Sequence, residues 1–75
     1  MPLVPGVMLL EWALRETARA LVVDPCQLRI LESKFFSPLR PEEQADLHVE
    51  LGSKRQVFRI LRGAELLASG ILEIA

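Results

Sequence analysis

"PLVPGVMLLEWAL", Pro2 to Leu14, decides how the rest of the chain is read. A proline-glycine pair, Pro5-Gly6, feeds straight into an apolar run that carries one acid, Glu11. Proline has its φ preset for a helix start. The apolar spacing that follows predicts a helix from about Val7 to Val23, with Leu10, Leu14 and Leu21 on a wide apolar face. Asp24-Pro25 ends it, because proline cannot donate the next hydrogen bond and disfavours helix in the residue before it.

After Pro25 the hydrophobic period falls to two. "QLRILESKFF" reads as a first strand, and "SPLRPEEQ" interrupts it, since Pro38 and Pro41 exclude a regular ladder. "ADLHVEL" alternates, with Ala45, Leu47, Val49 and Leu51 on one face and Asp46, His48 and Glu50 on the other. Gly52-Ser53 and Arg62-Gly63 supply turns into "RQVFRIL" and "ELLASGILEIA". One helix followed by about four strands predicts an α+β fold, an antiparallel meander wrapped around the helix.

A chain of 75 residues holds one domain at most, expected here over 1–75. Cys26 is the only cysteine, so no disulfide framework compensates for the small core, while 51% of the residues are hydrophobic. That combination favours a homo-oligomer burying apolar surface between subunits. A net charge of −1 gives no field for nucleic acid. No basic residue precedes the apolar stretch, as a signal peptide would need, and no run approaches the roughly 18 apolar residues of a membrane span. The expected location is the cytoplasm.

Two positions suggest chemistry. No side-chain cap precedes Gly6, so the amides from about Gly6 to Met8 are expected to be free. Free amides at a helix start can polarise a thioester carbonyl and stabilise an enolate-like oxygen. The plain alternative is that Gly6 is only an acceptable cap. Glu11 has Val7, Met8, Leu14 and Arg15 as its helical neighbours. Such surroundings would partly desolvate the carboxylate, raise its pKa and suit it to proton transfer. Equally, Glu11, Arg15 and Arg19 fall at i, i+4 and i+8, the order of a surface ion-pair row.

Other residues point elsewhere. His48, on the polar face of its strand between Asp46 and Glu50, reads as solvated rather than as a base or a metal ligand. Cys26 is expected as a small buried residue rather than a nucleophile. Lys54, Arg55, Arg59 and Arg62 form a basic cluster on one hairpin, either a solvated face or a dock for an acidic carrier. Phe35 and Phe36 are expected on opposite faces, one against the helix and one at an interface or channel. No metal or cofactor is implied.

"PLVPGVMLLEWAL" resembles the core of the β-hydroxyacyl-acyl carrier protein dehydratases, which have the hotdog fold. Their signature, His-Phe-Pro-x-x-Pro-Val-x-Pro-Gly, leads into a helix carrying a catalytic acid. Pro2, Pro5 and Gly6 match its second half, and Glu11 falls at the acid. "SKFFSPLRPEEQADLHVEL" is similar to the family's "KF…P…PGD" segment and next strand, with "PEEQ" replacing "PGD", and "LLASGILEIA" to its last strand. The combination "LLEWAL…KFFSPLRP…ASG" is most similar to the dehydratase-like hotdog proteins associated with aryl polyene biosynthesis.

The resemblance implies dehydration of a 3-hydroxyacyl thioester, on acyl carrier protein or coenzyme A, to a trans-2-enoyl thioester. Glu11, entering from the other subunit of a dimer, would help the hydroxyl leave. The Gly6 amide would hold the carbonyl, with Pro5 and Val7 beside it and Phe36 and Pro38 lining the acyl tunnel. The family's catalytic histidine would fall ahead of Met1, together with an early strand. The chain therefore reads as an N-terminally truncated hotdog domain. Two other readings stay open: a hotdog thioesterase, in which the acid activates water, and a non-catalytic acyl-binding or assembly module.

Overall fold

The computed structural model describes residues 4–75. Helix α1 spans Gly6–Leu21. A short 3₁₀ turn, Pro25–Gln27, leads into strands β1 Leu28–Phe35, β2 Asp46–Leu51, β3 Arg55–Arg62 and β4 Glu65–Ile74. The expected α+β architecture, one helix on an antiparallel sheet, is present.

The helix ends earlier than Asp24-Pro25 would require. Val22 takes a left-handed conformation, φ 57 and ψ 48, and Val23 N–H closes back on Ala18 O at 3.0 Å. This closure satisfies orphan carbonyls of the last turn, so the helix is finished before the proline acts. Asp24 serves the next element instead. Its side chain accepts from Cys26 N–H at 3.0 Å, while Gln27 Oε1 accepts from Asp24 N–H at 3.0 Å, a reciprocal capping box. Cys26 is consequently held at the surface, exposed rather than buried as expected.

The sheet order is β1-β4-β3-β2. β2, β3 and β4 form the expected meander, but β1 lies beside β4 rather than β2. The long segment between β1 and β2 makes this possible. It carries the chain from one sheet edge to the other, where a tight turn would have forced neighbours to pair.

Alternation sets which face meets the helix. Gln56, Phe58 and Ile60 of β3 are buried and pair in register with Leu72, Gly70 and Ala68 of β4. Leu47 and Val49 of β2 extend that face, with Asp46, His48 and Glu50 exposed on the other. Leu51 departs from the expected pattern, being exposed near the strand end. On the helix the buried stripe is Leu9, Ala13, Thr17 and Ala18, with Leu10, Leu14 and Leu21 only half-buried at its flanks. Leu9, Ala13 and Thr17 are spaced at i, i+4 and i+8, and the small Ala13, Thr17 and Ala18 let the helix approach the sheet. Leu9, Ala13, Phe58, Ile60, Leu67 and Leu72 anchor the core between the layers.

Candidate functional site

The helix opens as the proline-glycine pair predicts. Pro5 is extended, φ −60 and ψ 144, and no side chain caps the turn. Met8 N–H donates to Pro5 O at 3.0 Å, so that amide is used rather than free as expected. The Gly6 and Val7 amides have no hydrogen-bond acceptor among the described residues. Two donors, rather than three, face outward at the positive end of the helix.

An apolar groove of about 410 Å³ opens at this point, lined by Val4, Gly6, Leu9 and the run from Phe35 to Pro38. β1 delivers Phe35 to it, and the chain leaving the strand adds Phe36, Ser37 and Pro38. Phe35 and Phe36 are half exposed and share the groove, instead of diverging to opposite environments. Strand alternation ends at Phe35, so it no longer separates the two rings. Gly6 matters sterically: a Cβ there would stand 3.1 Å from Phe35 Cε1 and 3.2 Å from Cζ. With no side chain at residue 6 the Phe35 ring sits close over the helix start, and a Cβ there would push it back by a few tenths of an ångström.

The groove unites Gly6, Phe36 and Pro38. Pro5 and Val7 are exposed beside it but do not line it, whereas Val4, Leu9, Phe35 and Ser37 do. Their contribution depends on the β1–β4 pairing, which no local pattern announces. Pro2 of the signature lies outside the described residues.

Glu11 stands apart from the groove. Five residues separate it from Gly6, which on a helix is about 140° of rotation and about 7.5 Å of rise. It faces a second groove of about 380 Å³, bordered by Met8, Trp12, Arg15, Glu16 and Arg19. Its side chain is 56% exposed and its carboxylate is ion-paired with Arg15. The desolvated surroundings anticipated for it are not found on this chain, because Met8 and the paired Arg15 are exposed together with it. The ion-pair row stops there: Arg19 pairs with Glu16 at 3.4 Å, not with Arg15's row.

The remaining candidates separate from the site. His48 is exposed and registers opposite Arg59 on the outer face of the sheet. The Cys26 thiol is pushed up in pKa by its hydrogen bond to the Asp24 carboxylate and by that group's charge, which disfavours the nucleophilic thiolate. The hairpin cations do not act as one patch. Arg55 lies 3.9 Å from Glu73, which also holds Arg29, and Arg62 is engaged by Glu43 and Glu65. Among the described residues no helix is long and apolar enough to cross a membrane.

A helix laid on an antiparallel sheet, with its bare N-terminus opening on an apolar groove, is the arrangement of a hotdog-type domain. Residues 1–71 match the ApeI-like family, described as ApeI dehydratase, and the chain belongs to that family. Neither the curated proteins nor the solved structures contain a significant match. The dehydratase family read from the sequence is thus the family found.

Proposed function

We propose that this protein acts on 3-hydroxyacyl thioesters, carried on acyl carrier protein or coenzyme A, and removes water to give the trans-2-enoyl thioester. The observation that carries the reading is the unclaimed Gly6 amide in the lining of the apolar groove, with the unclaimed Val7 amide next to it in the chain. The acyl chain lies along Phe35, Phe36 and Pro38, and the thioester oxygen accepts from Gly6 N–H. Charge developing on that oxygen, as the α-proton leaves, is stabilised by the amides and the helix end.

Glu11 supplies the proton that converts the 3-hydroxyl into departing water. The family resemblance has this acid enter from the other subunit of a homodimer, and the placement of Glu11 and Gly6 of one chain at different grooves supports that arrangement. The family resemblance gives the α-proton to a histidine of the signature, a role that His48, exposed on the outer face of the sheet, does not share. Membership of a dehydratase family and the apolar lining of the groove support this reading.

A second reading, acyl binding without dehydration, is favoured by the engagement of Glu11 with Arg15. Mass spectrometry of a 3-hydroxyacyl carrier thioester incubated with the protein separates the possibilities. Loss of one water supports dehydration. Release of free 3-hydroxy acid supports a thioesterase instead. An unchanged thioester that remains bound supports the binding reading.

A further inference from the structure

The Arg62 guanidinium holds three partners at once. Nη1 donates to Glu43 Oε1 at 2.7 Å and to the Pro38 carbonyl at 3.3 Å, and Nε donates to Glu65 Oε1 at 3.2 Å. Arg62 ends β3 and Glu65 begins β4, so the anchor is the end of a rigid hairpin. Pro38 and Glu43 belong to the irregular segment between β1 and β2, which builds one wall of the groove.

The start of that segment is also bound elsewhere. Phe36 N–H and Ser37 N–H donate to Leu67 O at 2.7 and 3.3 Å, and Ser37 Oγ donates to Glu65 Oε2 at 2.9 Å. Beyond Pro38, Leu39 is buried, and its carbonyl accepts from Val4 N–H at 2.7 Å, just ahead of the helix start. A continuous path therefore runs from the hairpin through Arg62, Pro38 and Leu39 to the residue before Pro5. Without Arg62, Glu43 and Glu65 would lose the cation they share, and the Pro38 carbonyl its hydrogen bond to the hairpin.

We propose that Arg62 is a positioning residue for the acyl groove. It sets where Phe36, Ser37 and Pro38 stand relative to Gly6, and thereby the bulk of the acyl chain admitted. This rests on the acyl-thioester reading above. Arg62 does not line the groove, so it acts through the wall alone. Only the planar fork of arginine reaches all three partners together, and lysine can keep at most part of the arrangement.

The test compares wild type, R62M, R62K and E43Q by amide hydrogen exchange and by kinetics on short-chain and long-chain 3-hydroxyacyl thioesters. R62M is expected to speed exchange at Val4, Phe36 and Ser37 by about tenfold or more, leaving Ile60 and Leu72 protected. Its KM for the long chain rises several-fold more than for the short chain, with kcat less affected. R62K restores part of both effects, and E43Q, which spares the fork, reproduces them in weaker form. An active wild type whose R62M and E43Q variants keep native exchange and unchanged chain selectivity overturns the positioning role alone. A wild type that neither binds nor converts either thioester overturns the acyl-thioester reading, and the positioning role with it, however the exchange data fall.

Discussion

The Phe35 ring packs against the α-carbon of Gly6, so a methyl group there would meet Cε1 at 3.1 Å. That contact joins the edge strand to the helix start and shapes the groove mouth. In Gly6→Ala, the gain in helix propensity, smaller at this first helical position than the roughly 1 kcal/mol of a helix interior, opposes the cost of moving a half-exposed ring. Stability should stay within about 1 kcal/mol of wild type. Acyl-thioester turnover should fall at least about tenfold, because the displaced ring enters the groove beside the carbonyl site. Thermal melting with a turnover assay checks both, and unchanged turnover would remove Gly6 from the site.

Glu11 and its neighbour Arg15 can be told apart by what each loses. Their pair is exposed, so Glu11→Ala and Arg15→Ala should each cost under about 1 kcal/mol in urea denaturation. In the proposed dehydration only Glu11→Ala should lower kcat, by about two to four orders of magnitude. Mixing Glu11→Ala with a variant defective at Gly6 should recover part of the activity if the acid acts across a dimer. Equal effects of the two alanine variants on kcat would confine Glu11 to an ion-pair role.

Acid should loosen the wall of the groove before the core. The Arg40 backbone N–H, then the charge of Arg62, hold the Glu43 carboxyl below the usual range against some desolvation. Hydrogen bonds from Arg62, then Ser37, lower Glu65. A depressed folded pKa stabilises the fold fully above the unfolded value, and that contribution is lost as pH falls through the folded value. Urea midpoints should therefore drop below about pH 4.5. The drop should be shallower in R62M, which has less of this stabilisation to lose. Parallel acid profiles for the two proteins would contradict the assignment.

Val22 occupies a left-handed conformation at the helix end and is 89% exposed. A β-branched residue is strained there, and glycine is not. Val22→Gly should stabilise the protein by about 1 kcal/mol, a rise in Tm of about 4–8 °C. A lower Tm would mean that Val22 makes contacts that outweigh its backbone strain.

Gly70 lies beneath the Phe58 ring, its register partner on β3. A Cβ at residue 70 would stand 2.6 Å from both Phe58 Cζ and the Glu32 carbonyl oxygen. The ring is fully packed and the carbonyl is backbone, so neither can yield cheaply. Gly70→Ala should cost about 2 kcal/mol or more, measured by denaturation. A loss below about 0.5 kcal/mol would show that β1 can move away from β4 without cost.

Much of this was written locally. Pro5-Gly6 dictated where the helix starts, since proline presets φ and glycine offers no side-chain cap. Alternation in "DLHVEL" and "RQVFRIL" dictated which residues meet the helix, because side chains in a strand change face at every step. The signature residues around Gly6 and Glu11 carried the family. What remained illegible depended on partners distant in the chain. Val22 adopts its left-handed turn although its side chain disfavours it, so the helix ended before the proline that marks the boundary in sequence. Cys26, after a proline turn and with no histidine near it in sequence, reads as a small buried residue, but the Asp24 capping box holds its turn at the surface.

The sequence by itself determined the class of fold, the helix start and the family, because these follow from period, proline and motif. Only the tertiary structure decided that β1 joins β4, that Phe35 and Phe36 share one groove with Gly6, and that Glu11 faces another. It alone committed Arg62 to the segment from Pro38 to Glu43 rather than to a basic patch. Strand order and ion pairing are settled by which surfaces bury one another across the chain, and no local spacing encodes that choice.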